Sequence, residues 1–446
     1  MTATALPPGP STSRPLQTLR WLVRPTAMME DMRRRYGDAF TLRIAHEGTW
    51  VFISDPDAVR QVFTGDPRLL HAGEANIVLL PVLGKHSVLL LDEQQHMAQR
   101  KLMLPPFHGE RMRAYRDVMA EVTARALERW PLGEPLQVRP SMQAITLEVI
   151  IRTVFGVQEA DRLERMRTTL TKTLDWGTDP RRLAQMAILG PHRMAANERF
   201  RRAQEPADRL VYEEIARRRA DPGLAERDDV LSMLIQARHE DGRPMSDEEL
   251  RDELMTLLVA GHETTASSLA WAVERLVRHP DKLERLREEV DSDEDEYLEA
   301  VIKETLRLRP ILSLVLRKLT EPMEIGGWNL PAGVTVAPCI YLMHRRPDVY
   351  PEPLRFRPER FLEQPAGTYT WIPFGGGVRR CLGASFAQFE MKVVLSEIVS
   401  RLDVRAADPR PERLVRRAIT LVPERGGEIV AHARVRARDG LAAAAA

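Results

Sequence analysis

The feature that most constrains this chain is one long helix with nowhere to sit but the middle of the molecule. Ser246 and Glu249 have the spacing of a capping box, with Met245 and Leu250 placed to pack across the turn. A helical pattern then runs to residue 278, where His279-Pro280 stops it, a span of about 48 Å at 1.5 Å per residue. Residues 254–273 are apolar almost all round, and a helix apolar on every side must be buried on every side. A membrane span would show the same pattern, but Glu263 near its centre and the Arg251-Asp252-Glu253 flank argue against one. Inside the run, Ala260-Gly261-His262-Glu263-Thr264-Thr265 puts an acid, a glycine and two hydroxyls into a core segment. Such local violations are expected at functional sites. Gly261 is expected to open a groove, and Thr264 to bond a backbone carbonyl and loosen the helical ladder. The usual zinc pattern is absent, because position 266 is Ala rather than a second His.

The most chemically loaded stretch follows later, at 374–383. Three glycines and two arginines precede the thiol of Cys381, and a helical run over 384–402 follows at once. Glycines let a backbone approach something flat and bulky that a Cβ would repel. The start of a helix beside the thiol offers free N–H groups and a positive dipole end, which favour thiolate. Arg379 adds a planar cation suited to a carboxylate. A thiolate ligand with N–H donors and a carboxylate clamp is what a buried haem iron needs on one face. A phosphate-cradling loop would need Lys-Ser/Thr after the glycines, and Arg-Cys-Leu stands there. A nucleophilic cysteine with a distant His partner and a plain turn with a buried Cys both stay open on these residues alone.

Phe374-x-x-Gly377-x-Arg379-x-Cys381-x-Gly383 resembles the haem-binding signature of the cytochromes P450, the thiolate-haem monooxygenases. Three further motifs in the family's order, from His96 onward, extend the resemblance over most of the chain. His96 and Arg100, four apart on a predicted helix, read by themselves as a solvated pair. The resemblance gives them, with Arg317, the haem propionates. Small-Gly-x-acid-Thr-Thr at 260–265 matches the oxygen-activation motif. It implies that Thr264 holds oxygen and water by hydrogen bonds while Glu263 relays protons from bulk. Glu304 and Arg307 read by periodicity as an exposed ion pair of little worth. The resemblance makes them a buried pair joined by Arg360, bracing the cysteine loop. It also places apolar residues 311–316 on the substrate side. Many bacterial members carry His where Arg379 stands, which points to relatives outside the commonest bacterial groups.

Charge and composition exclude other classes. A formal charge of +1 gives nucleic acid no electrostatic footprint. Two distant cysteines, Cys339 and Cys381, form no disulfide framework and fit a reducing compartment. Residues 1–15 lack the order of a signal peptide or membrane anchor, so a cytoplasmic protein is expected. Helices are expected over 26–36, from Asp55-Pro56 to 64, over 93–104, through 111–238 and over 297–309. Residues 77–91 read as a loop with apolar cargo. Strands are expected at 40–44 and 49–53, at 314–319, in a hairpin of 323–325 with 328–330, and in an apolar run over 334–342.

The reading is a mainly α fold with a smaller β portion. The resemblance makes it a cytochrome P450 fold, with haem b between the long central helix and the cysteine loop. A flexible Pro-rich arm over 1–15, one catalytic domain over 16–440 and a disordered tail over 441–446 are expected. The implied activity inserts one oxygen atom into an apolar or amphipathic small molecule: fatty acid, terpenoid, steroid-like or polyketide. Only about sixty residues follow Gly383, so electrons are expected from a separate ferredoxin or flavodoxin with its reductase. A peroxygenase using hydrogen peroxide would keep the haem but typically lacks an acid–alcohol pair such as Glu263-Thr264. A non-catalytic haem-binding protein is the third class.

Overall fold

The long helix is present as one unbroken element, Asp247–Val277, in a computed structural model describing residues 6–107 and 111–434. Its capping box is closed both ways: the Ser246 hydroxyl accepts from the Glu249 N–H and the Glu249 carboxylate from the Ser246 N–H. The expected loosening at Thr264 does not occur, and the helix continues through it. Leu254, Leu258, Leu269 and Trp271 are fully buried. Helices Val138–Thr153, Glu198–Arg219, Glu296–Leu308 and Ala384–Arg401 pack around it. The fold is mainly helical, 56% by residue, with a smaller sheet portion. Among the described residues no helix is long and apolar enough to cross a membrane.

The β portion lies to one side. Strands Ala39–Ile44, Gly48–Ile53, Thr335–Pro338, Arg317–Leu319 and Leu70–His71 lie side by side in that order. Only the pairing of Gly48–Ile53 with Thr335–Pro338 is parallel, with Val51 opposite Val336 and Phe52 opposite Ala337. The hairpin Met323–Ile325 with Trp328–Leu330 forms as expected on two glycines of positive φ, 58° and 79°. The strand expected at 314–319 shortens to its last three residues, and the run at 334–342 divides into a strand and the short helix Ile340–Met343. A second sheet of Pro135–Gln137, Glu428–Ala433 and Leu402–Ala406, and a hairpin of Leu414–Arg417 with Thr420–Pro423, went unread in the sequence. The Pro-rich arm touches the first strand. Thr41 donates its N–H to Pro8 O at 2.9 Å and its hydroxyl to Pro7 O at 2.7 Å. The tail over 441–446 lies outside the described residues.

Helix Ala384–Arg401 carries one anomaly, Glu390, buried in the apolar core with one carboxyl oxygen unbonded. Burial pushes its pKa up from 4.5 to about 8. A raised folded-state pKa means the folded chain prefers the protonated form, so the contribution of Glu390 to stability is fully present below pH 4.5 and is lost as pH rises through about 8. Glu390→Gln is expected to be near neutral at pH 5 and stabilising at pH 8, read as the difference in melting temperature. Ser246→Ala, which opens the capping box, should cost about 1 kcal/mol, read by chemical denaturation.

Candidate functional site

The cysteine loop is held by a helix that the sequence announces but gives no role at the site. Gly376 and Gly377 sit against helix Pro56–Thr64: a Cβ on Gly376 would lie 2.1 Å from the Phe63 ring, and one on Gly377 2.0 Å from Phe63 O. These two glycines make room for Phe63, and Gly377 also needs its positive φ of 65°. The loop closes with the Cys381 N–H donating to Phe374 O at 2.9 Å. The Phe374 ring meets Trp371 edge-on at 6.0 Å. Gly383 caps helix Ala384–Arg401, with open space where a Cβ would stand.

Cys381 is accessible and yet surrounded by protein, the condition of a group lining an interior cavity. Burial pushes its pKa up, while the Gly383 N–H and the nearby Arg100 and Arg380 pull it down toward thiolate.

Beside the thiol the charges do not balance. His96, Arg100, Arg317 and Arg379 crowd together, with Asp92 the carboxylate among them. Burial and the three arginines push His96 down to about 3. Burial first, then Arg379, brings Arg317 down to about 10; burial brings Arg379 to about 10 despite Asp92. Arg379 binds Asp92 at 2.5 Å and donates to the carbonyls of Val88 and Leu91. Arg100 donates to Arg380 O at 2.8 Å, and Arg317 only to its neighbour Leu316 O. A buried cluster this short of negative charge suits a ligand with two carboxylates.

On the central helix the acid and the alcohol part company. Ala260 is exposed and Val259, Gly261, Glu263 and Thr264 beside it are half-buried, and Thr264 donates to its carbonyl at 2.5 Å. Glu263 turns to helix Val138–Thr153, where Arg139 binds it at 2.5 Å and Gln143 at 2.8 Å. Gly261 does not open the groove expected of it. A Cβ there would meet Ile150 Cδ1 at 3.2 Å, so it lets that same helix approach. His262, assigned no role, bonds Gln143 O.

The clamp is fully buried, contrary to the exposed pair that periodicity suggests. Arg307 grips Glu304 through two bonds, 2.7 and 2.9 Å, and Arg360 reaches the same carboxylate at 3.2 Å. The Arg307 guanidinium also donates to the carbonyls of His344 and Pro353. His344 then bridges onward: its Nδ1 bonds Arg307 O and its Nε2 accepts from Ile372 N–H, just upstream of Phe374. The clamp thus reaches the cysteine loop through a histidine.

The sequence profile of the cytochrome P450 family matches residues 7–429. This chain belongs to the cytochrome P450 family. It is 45% identical to cytochrome P450 135B1 of Mycobacterium tuberculosis, covering 98% of this chain and 93% of that one. Identity is 40% with cytochrome P450 135A1 of the same organism, over 96% and 95% of the two chains. The fold is similar to the retinoic acid-bound cyanobacterial CYP120A1, with TM-score 0.85 and 25% identity over 97% of this chain and all of that one. Cytochrome P450DA's haem domain gives TM-score 0.80 at 23% identity, over 97% of this chain and 98% of that one. As a cytochrome P450 the chain is a haem-thiolate monooxygenase with haem b, a small-molecule substrate and a redox partner.

The fit to haem rests on an accessible thiol beside three arginines and a histidine. Sequence reasoning missed Asp92, Arg139, Gln143 and His344, which carry no motif spacing and act only through tertiary contact. Glu304→Ala would leave two arginines buried without their anion, at a cost of about 3–5 kcal/mol. The purified variant is expected to hold less haem per chain and to melt earlier than the parent.

Proposed function

We propose that Cys381 ligates the haem iron, that His96, Arg100, Arg317 and Arg379 take its two propionates, and that Glu263 and Thr264 serve proton delivery. The arginine cluster, short of negative charge and beside an accessible thiol, carries this reading. Bound haem supplies the electron and oxygen chemistry.

The chain's own residues do the remainder. Gly383 N–H directs a hydrogen bond at the Cys381 sulfur and favours thiolate. Thr264 Oγ1, now occupied by Ala260 O, holds and passes a proton at the exposed face of the central helix. Glu263 can feed that hydroxyl only by leaving Arg139, so the ion pair sets a resting position for the acid. Residues 374–377, Phe374 included, fix the thiol's height through Phe63 and the Phe374 carbonyl.

The substrate is an apolar or amphipathic small molecule of fatty acid, terpenoid, steroid-like or polyketide type. Half-buried Leu312, Leu314, Val315 and Leu316 support this, as does the cyanobacterial neighbour solved with retinoic acid, an apolar carboxylate. Electrons come from a ferredoxin or flavodoxin with its reductase, in the cytoplasm.

Reduced holoprotein exposed to carbon monoxide is expected to show the red-shifted Soret band of thiolate ligation, and an ordinary Soret position would end the reading. Thr264→Ala should keep that band and lose product per NADPH by tenfold or more (about 10²-fold is the low end for a positioned proton donor). Peroxide-driven turnover matching NADPH-driven turnover in the parent would instead favour a peroxygenase.

A further inference from the structure

Residues 84–92 are gripped from two sides. From the central helix, Asp252 takes the N–H of His86 at 2.9 Å, Glu253 takes the N–H of Val88 at 2.8 Å, and Thr256 bonds the Ser87 hydroxyl at 2.7 Å. From the cysteine loop, Arg379 donates to Val88 O at 3.2 Å, to Leu91 O and to the Asp92 carboxylate. The backbone of Val88 is therefore bonded at its N–H by the helix that carries Thr264, and at its carbonyl by the loop that carries Cys381.

Two details show that the grip is built rather than incidental. Gly84 has φ +85°, and a Cβ there would lie 2.1 Å from Asp252 Oδ1, so only glycine admits that carboxylate to the turn. Glu253 is wholly buried, and a carboxyl group is an expensive acceptor for one loop amide unless the position of that amide matters. Gln99 faces the same carboxyl from helix Glu93–Met103, which also carries His96 and Arg100. The segment so held presents half-buried apolar side chains: Ile77, Val78, Leu79 and Leu80 before it, Leu89 and Leu90 within it.

We infer that Glu253, backed by Asp252 and Thr256, is a positioning residue. It sets residues 84–91 at the edge of the substrate space and, through Val88 and Arg379, keeps that segment in register with the cysteine loop. The residue touches neither haem nor substrate. Its effect falls on ligands large enough to reach the segment. The inference rests on the thiolate-haem reading above.

Hydrogen exchange and ligand titration on the ferric holoenzyme test it. In Glu253→Ala, amides 86–90 should exchange at least tenfold faster, about what loss of one buried hydrogen bond permits. 4-Phenylimidazole should bind about tenfold more weakly by its Soret shift. Imidazole, too small to meet the segment, should bind as before. Glu253→Gln keeps an oxygen acceptor for Val88 N–H and should restore both readouts. Unchanged exchange and affinity in the Ala variant overturn the inference, and so does an equal loss for both ligands. If that variant fails to hold haem, Thr256→Val replaces it: exchange at 86–90 must rise, and its failure to rise is equally fatal. A parent protein lacking the red-shifted carbon monoxide band would instead refute the haem reading, and leave the exchange comparison standing.

Discussion

Charge taken out of water has to meet its opposite, and this chain is built around two answers to that demand. At the clamp the answer is internal. Glu304 receives Arg307, Arg360 and the Arg357 N–H, and the three charged side chains Glu304, Arg307 and Arg360 are buried. Such a network is rarely a bargain in stability, but once present it is costly to break. At the cavity the answer is incomplete, because His96, Arg100, Arg317 and Arg379 face Asp92. The first arrangement fixes the scaffold, and the second leaves arginines short of negative charge, which suits a dianionic guest. His344 joins the scaffold to the loop, with both ring nitrogens committed to backbone partners and its pKa held well below the usual range, burial being the main cause.

Much of the site was legible because motif spacing survives without knowledge of the fold. The capping box, the two-glycine hairpin and the Cys381 stretch each carry their meaning within ten residues. Glu304 and Arg307 defeated periodicity because helix Glu296–Leu308 is enclosed on nearly all sides, which a one-stripe pattern does not disclose. The glycines misled in a related way. Gly376 and Gly377 were expected to yield to a flat ligand, and Gly261 to open a groove, yet each admits a neighbouring protein element: Phe63 or Ile150. A missing side chain announces close approach, not what approaches. The strands at Leu402–Ala406 and Glu428–Ala433 escaped notice because their order comes from pairing with each other, which local pattern does not disclose.

The stretch at 260–265 shows how far a motif reaches. It lies on a helix segment where Ala260 is exposed and Val259, Gly261, Glu263 and Thr264 are half-buried. It did not disclose that Glu263 spends the resting state on Arg139 and Gln143, residues from a helix more than a hundred positions earlier. Side-chain orientation on a buried helix is decided by the neighbours, and those neighbours are remote in sequence.

The parallel pairing of Gly48–Ile53 with Thr335–Pro338 has a consequence for how the molecule is made. Its second partner leaves the ribosome only nearly three hundred residues after its first. At 5–20 residues per second that is a delay of roughly 15–60 seconds. Throughout it Trp50, Val51, Phe52 and Ile53 present an apolar strand with one open edge, the kind of surface that pairs with other chains. The nascent polypeptide therefore carries an unpaired apolar edge until the missing strand arrives.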